Sequence, residues 1–530
     1  MRSDRSHTAS PLVLKLALVV VLCLMGCGGE KPSEKPSHAA YSPTGIQKSG
    51  ETTQPFSDKS SGRAARQRAE EIAANLVDEP EMVVLEADPN AFASEMKSTP
   101  PPRPAGPELA ALDTPRRTNA ELEALGFRVL SSPHIQLVTD LPLADVETLP
   151  GLGELLLQRL QADFDILWPN DQQMVGYIMA DTGRFREAGL LPEDLPGFLH
   201  GRHRGGEFWM KMQATPYYLR HLFLHELTHV VTLINEREDL PVGFKEGFAE
   251  WYATHYAPPG EKPLFAILPG DPANFSGWGR ISLIREDTEG EVFRSFDDLL
   301  QIDAIDFSTN DDYAWAWLWI QFCSQHPTYG PFFANLRQSR NPADFLERSE
   351  GLDPEIRRWL SSEWLRFAAD VTYGYEVPPA QVKHLPPRPL GTMPQDVLVE
   401  ARGGWQSTGL LVPAGAKVRI RAKGQVELNR TTRPWMSQPQ GISIDFAGGE
   451  RLGKLLAWWA VPDLSPMAKD PELVQVFPVG QTATLTAPRD AVLYLRINDH
   501  FSGLGNNSGQ YEVTVEAVSG EAASSAPATE

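Results

Sequence analysis

Apolar positions along this 530-residue chain fall into several distinct rhythms, separated by stretches that have none. Near the start, Arg2, Arg5 and Lys15 precede a continuous apolar run, Leu16 to Met25, too short to cross a membrane as a stable helix. Residues 27–125 are rich in Pro, Ser, Ala, Glu and Lys, with tracts such as STPPPRPAGPE. Such a composition predicts a disordered tether, because it cannot bury a core. From FRVLSSPHIQLVTDL onward, β-branched runs alternate with helical periods, and residues 126–375 read as an α+β domain. Within it, Thr215-Pro216 signals a helix start, and Tyr218, Leu222, Leu224, Leu227, Val230, Val231 and Leu233 supply a broad apolar surface. Pro241 and Gly243 break the chain before a second helix. The stretch GGEFWMKM alternates as an edge strand would, and YAWAWLWIQFCSQ reads as a buried helix. EVPPAQVKHLPPRPL, residues 376–390, reads as a proline-rich linker. Residues 391–518 show short strands separated by Gly, Pro and Asn turns, which predicts an all-β sandwich. Residues 519–530 are small and acidic and read as a disordered tail.

The chemistry concentrates in HLFLHELTHVVTLINEREDLPVGFKEGFAE, residues 221–250. His225 and His229 are four apart, so on a helix they share one face and can bind one zinc ion. Glu226 falls beside them, where a carboxylate can act as general base. Glu246, on the second helix, suits a third, carboxylate ligand, and two His with one Glu leave an open position of the catalytic kind. Glu250 lies one turn further and suits a carboxylate that fixes the orientation of His225. His221 precedes His225 by a turn, but three ligands on one straight helix would span about 12 Å. His221 therefore reads as a supporting, substrate-facing or purely structural residue and not as a ligand.

HELTH followed by Glu246 in EGFAE resembles the gluzincin metallopeptidases, and most of all the bacterial peptidase-MA-like group, over roughly residues 126–370. The resemblance implies a zincin-type fold, zinc held by His225, His229 and Glu246, Glu226 as base, and Glu250 orienting a histidine. It also implies a tyrosine at the start of a later helix that steadies the reaction intermediate, and Tyr313 matches it. Tyr252, His255 and Tyr256 are rivals for that role. No G-x-M-E-N exopeptidase signature occurs, so the resemblance points to a peptidase other than an aminopeptidase.

The apolar run near the start ends LMGC, which resembles a bacterial lipobox with residues 1–26 as signal peptide and Cys27 as the lipidated residue. Gly28 follows Cys27 where an aspartate would signal inner-membrane retention, so the expected location is the outer membrane of a bacterial envelope, outside the cytoplasm. Losing residues 1–26 removes three basic and one acidic residue and takes the formal charge from −21 to −23. Such a chain is not built for nucleic acid, and its membrane contact would be the lipid anchor. Cys323 alone then remains of the three cysteines, so no intrachain disulfide can form.

In the C-terminal part, LYLRINDHFSGLGNNSGQYEVTV is a strand, an Asp/Asn/Gly-rich loop and a strand. Asp499, Asn506 and Asn507 offer the hard oxygen atoms that calcium prefers, although the bland reading is a turn that uses Asn and Gly for its backbone torsions. The loop resembles that of PA-I type galactophilic lectins, with weaker similarity from Trp405 to Tyr511. That resemblance implies calcium at Asp499, Asn506 and Asn507 and carbohydrate as a ligand. Ser437 stands where the lectins have a sugar-contacting histidine. The sequence as a whole therefore reads as a lipid-anchored zinc peptidase acting on peptide or protein, with a lectin-like module. The alternative is a non-catalytic surface adhesin that retains a zincin scaffold.

Overall fold

The computed structural model describes residues 114, 117–164, 173–234, 239–258, 260–301, 307–429 and 433–518. The expected signal peptide, Cys27, most of the tether and the acidic tail lie outside them. All the described residues belong to one unit by contact. Its folded part starts earlier than residue 126. Thr118 and Glu121 form a capping box on a short helix, Asn119–Ala124, and Leu122 of that helix is buried.

Five strands build the first sheet: β1 (Arg128–Ser131), β2 (Ile135–Thr139), β3 (Met174–Met179), β4 (Gly201–Arg204) and β5 (Glu207–Lys211). Their spatial order is β1-β2-β3-β5-β4, with β2, β3 and β5 parallel and β4 returning antiparallel at the edge. The expected edge strand GGEFWMKM thus contributes β5, an inner strand, and the edge belongs to the polar segment GRHR before it. The reason is a tight turn at Gly205, with positive φ, which folds β4 back along β5.

Helix α1 (Leu149–Phe164) leads from β2 towards β3. Helix α2 (Pro216–Ile234) starts at Thr215, whose Oγ1 accepts from the Tyr218 N–H at 3.2 Å. Phe223, Leu224, Leu227, Val230 and Val231 are fully buried, so α2 is covered nearly all round. Helix α3 (Val242–Ala253) follows, then a two-stranded pair, β6 (His255–Tyr256) and β7 (Leu264–Phe265). After it come α4 (Arg280–Glu289), α5 (Asn310–Gln325) and α6 (Pro354–Asp370). Helix α5 carries Trp315, Trp317 and Trp319, all buried, and Cys323 is buried there too, its thiol pushed up by burial. Gly247 lets α3 lie directly on α5: a Cβ there would land on the Ala316 carbonyl. Among the described residues no helix is long and apolar enough to cross a membrane.

The C-terminal part is all β. One sheet contains β8 (Arg388–Pro389), β10 (Gln406–Val412), β14 (Gln440–Ala447), β15 (Glu450–Ala460), β16 (Val476–Pro478) and β18 (Ala491–Ile497). The other contains β9 (Gln395–Glu400), β11 (Lys417–Lys423), β12 (Val426–Leu428), β13 (Trp435–Ser437), β17 (Thr482–Thr486) and β19 (Ser508–Ala517). On β11, Lys417, Arg419 and Arg421 face water while Val418 and Ile420 are buried, as period two requires. Strand β18 is buried along its whole length. One of its faces meets the other sheet, and the other packs Val492 and Tyr494 with Trp405, Trp458 and Trp359 of α6. Residues 376–390 are built into this arrangement: β8 pairs with β10, and His384 stacks on Trp359.

Candidate metal centre

Three ligand atoms converge where α2 faces α3. His225 Nε2 and His229 Nε2 are 3.0 Å apart, and Glu246 Oε2 lies 3.2 Å from the first and 3.1 Å from the second. Ligands held tetrahedrally at zinc–nitrogen and zinc–oxygen distances of about 2.0–2.1 Å stand about 3.3 Å from one another. The triangle therefore has the size that a zinc ion needs, and its donor set, two imidazoles and a carboxylate, suits zinc in chemistry as well. Electrostatics point the same way. Burial alone would push the His225 ring down, yet Glu246 and Glu250 carry it up to about 10. The two carboxylates thus leave negative potential around the ring.

Glu250 sits behind the triangle on the same face of α3. Its Oε1 is 3.3 Å from His225 Nδ1, somewhat off the line of a good hydrogen bond. Glu250 thus stands beside the His225 ring, and it makes further contacts. It accepts from Arg280 of α4 at both oxygens, each at 3.1 Å, and lies 3.0 Å from His221 Nε2. Burial would raise its carboxyl, but Arg280 and His221 hold it well below the usual range. His221, His225 and Glu250 also come close enough together to suggest a second ion. The Arg280 guanidinium already supplies the positive charge there, and His221, fully buried, is a supporting residue.

Glu226 points to the other side of the triangle, toward the edge strand. It is buried, and His203 of β4 places Nδ1 at 3.4 Å from its Oε2. The His203 ring also stacks on His229, with centroids 4.4 Å apart. Tyr313 lies in the first turn of α5, its start fixed by a capping box of Thr309 and Asp312. The Tyr313 ring centroid is 6.0 Å from that of His225, and the Arg280 guanidinium lies 5.7 Å from its ring. Burial, then the nearby carboxylates Glu246, Glu250 and Glu226, raise its phenol, so Tyr313 keeps its proton. The rivals are placed elsewhere. Tyr252 donates to Asp163 at 2.6 Å, His255 is buried against the Ala253 carbonyl, and Tyr256 packs against Phe275.

Two residues of this centre escape sequence reasoning. Arg280 follows a Gly-Trp-Gly turn and has no spacing rule that ties it to Glu250. His203 sits in HGRHRGG, and only its nearness to the HELTH helix in sequence gives any signal.

In the sandwich, Asp499, Asn506 and Asn507 do come together in the loop between β18 and β19. Asp499 Oδ2 accepts from Asn507 Nδ2 at 2.8 Å, and the Oδ1 atoms of Asn506 and Asn507 both face the N–H of Asn429, at 3.2 and 3.4 Å. Buried Arg496 donates to the Asp499 carbonyl at 2.5 Å and pins the loop. The loop thus gathers one carboxylate and two amide oxygens, ligand types that a hard cation takes, with the Asn507 amide nitrogen turned to Asp499 and both amide oxygens turned to the Asn429 N–H. Ser437 is buried and donates to Gln438 O, so it offers nothing at the surface.

No known family profile matches this chain, and no curated protein matches it. Among solved structures, it is similar to the N-terminal domain of EclA, described as a PllA-like lectin, with a TM-score of 0.19 and 21% identity over 23% of this chain and 95% of that one.

Proposed function

We propose that this chain is a zinc-dependent peptidase, held at a bacterial envelope by lipid on Cys27, with a sandwich module for calcium and carbohydrate. The observation that carries the reading is the triangle of His225 Nε2, His229 Nε2 and Glu246 Oε2, with sides of 3.0 to 3.2 Å. Zinc bound there would supply a Lewis acid and a water whose acidity reaches the neutral range. Glu226, beside the histidines, is the group to take a proton from the attacking water and return it to the leaving nitrogen as the C–N bond breaks. Tyr313, protonated and close to His225, is the donor for the carbonyl oxygen as negative charge develops. Strand β4, antiparallel at the sheet edge, offers its backbone to an extended peptide. Glu250, anchored by Arg280, faces His225 Nδ1 from behind, which would leave Nε2 for the metal.

The test is metal analysis joined to proteolysis. The purified chain is expected to carry one equivalent of zinc and to cleave a casein-like substrate, with activity lost to chelator and restored by zinc. His229→Ala is expected to lose the metal and Glu226→Gln to keep it while losing turnover. A wild type without zinc, or equal zinc in His229→Ala, would sink the assignment. Bound zinc without chelator-sensitive cleavage would leave the adhesin that keeps a zincin scaffold.

A further inference from the structure

Gly201 and His203 stand two residues apart on β4, and both meet Glu226. Side chains alternate along a strand, so Arg202 and Arg204 belong to the opposite face. Arg204 indeed pairs with Asp194, at 3.1 Å. A Cβ on Gly201 would overlap Oε1, Cδ and Cγ of Glu226, so the strand runs its bare backbone against this side chain. Gly201 is absent from the positive-φ positions, and its need for glycine comes from Glu226 and not from the backbone. On the second oxygen, His203 Nδ1 lies 3.4 Å from Glu226 Oε2. A carboxylate can only accept, so the Nδ1 hydrogen is the one donated. Stacking on His229 at 4.4 Å and 23° fixes the plane of the ring that makes this contact. One oxygen of Glu226 is thus bounded by Gly201 and the other is held by His203.

We infer that Gly201 and His203 form a clamp that sets the position of the Glu226 carboxylate, which makes His203 a positioning residue for the base and not a metal ligand. The inference rests on the peptidase reading for its consequence, though the clamp itself is a matter of geometry. A general base works only when its oxygen is within hydrogen-bond reach of the proton it takes, and a displacement of about 1 Å can cost about 10²-fold in rate. Gly201→Ala pushes the carboxylate without touching its chemistry. His203→Ala releases it, whereas His203→Asn keeps a donor close to the Nδ1 position.

The experiment compares these three variants with wild type and Glu226→Gln in the full zinc-loaded chain. It measures zinc content, melting temperature, kcat and KM on a peptide, and affinity for a simple hydroxamate, whose hydroxyl hydrogen needs an acceptor such as Glu226. Gly201→Ala and His203→Ala are expected to keep one zinc and a near-wild-type melting temperature. Their kcat is expected to fall by about 10- to 100-fold with KM little changed, and hydroxamate affinity to fall in the same order. His203→Asn is expected to recover most of both. Wild-type kcat and hydroxamate affinity in both alanine variants would overturn the clamp, as would zinc loss in His203→Ala or an equal defect in His203→Asn. If zinc binds but wild type cleaves nothing, the peptidase reading fails and hydroxamate affinity alone decides the clamp. If no zinc binds, crystal structures of wild type and Gly201→Ala decide it: Glu226 in an unmoved position would overturn the inference.

Discussion

Glu226 and Tyr313 flank the same triangle of His225, His229 and Glu246, and the proposed reaction makes opposite demands on them. As the proposed base, the carboxylate would accept a proton and give it up, and it lies buried against the edge strand β4. As the proposed donor, the phenol would keep its proton, and burial, then the three nearby carboxylates, raise it in that direction. Its contribution would come only as negative charge develops on the substrate oxygen. Tyr313→Phe is therefore expected to lower kcat by roughly 10²–10³ and leave KM and zinc content unchanged. Steady-state kinetics beside a thermal melt checks this. Normal kcat with a lowered melting temperature would make Tyr313 a packing residue and move the donor role to Tyr218, whose hydroxyl is 3.4 Å from Arg280. Helical spacing made His225, Glu226 and His229 legible as one group and Glu246 and Glu250 as another, and the packing of α3 on α2 brings the two groups together. Arg280 and His203 were not legible, since each arrives from a separate element and only the folded chain sets its distance.

Elements show the same division between local and distant causes. Helix α2 announces itself through a cap, a start signal and an apolar surface, and α5 through its apolar run. Strand β4 does not, because GRHR has neither alternation nor β-branched residues and exists only as the partner of β5. Residues 376–390 look like a free linker by composition, yet proline suits a sheet edge, and β8 is such an edge. The loop between β18 and β19 was legible in kind, and its fixed geometry gives a prediction. Arg496 holds the Asp499 carbonyl and Asn429 the amide oxygens of Asn506 and Asn507, and the proposed calcium would have to draw on these same groups. Millimolar calcium is expected to raise the melting temperature of the full chain, and Asp499→Ala to abolish the rise, since binding to the native state alone adds stability. The isolated sandwich is a poor test, because it would expose Trp405, Trp458 and Tyr494. A melting temperature indifferent to calcium in the full chain would leave the loop a turn.

On the scale of the whole molecule, the α+β part and the sandwich are joined through a buried carboxylate. Glu363 of α6 accepts from Tyr329 at 2.8 Å and from His384 Nε2 at 2.6 Å, with His326 at 3.1 Å. His384 belongs to the connecting segment, and its Nδ1 lies 2.5 Å from Tyr494 OH of β18. One chain of contacts thus runs from α5 and α6 through the connection into the second sheet. Burial would raise the Glu363 carboxyl, but its histidine partners overcome that and take it down to about 2 from 4.5. A carboxyl that is more acidic folded than unfolded adds stability above the unfolded value, and the unfolded chain gains the proton first as pH falls. The contribution of this group, roughly 3 kcal/mol, is therefore fully present above about pH 4.5 and lost as pH drops through about 2. Glu363→Gln keeps the shape but cannot carry the charge. Denaturant unfolding is expected to show it less stable than wild type by that amount near pH 5, with the gap closing toward pH 2. The changing gap reports on Glu363 together with its partners His326 and His384. A gap that stays constant with pH would mean that Glu363 joins the two parts as a neutral hydrogen-bonding group rather than as an anion.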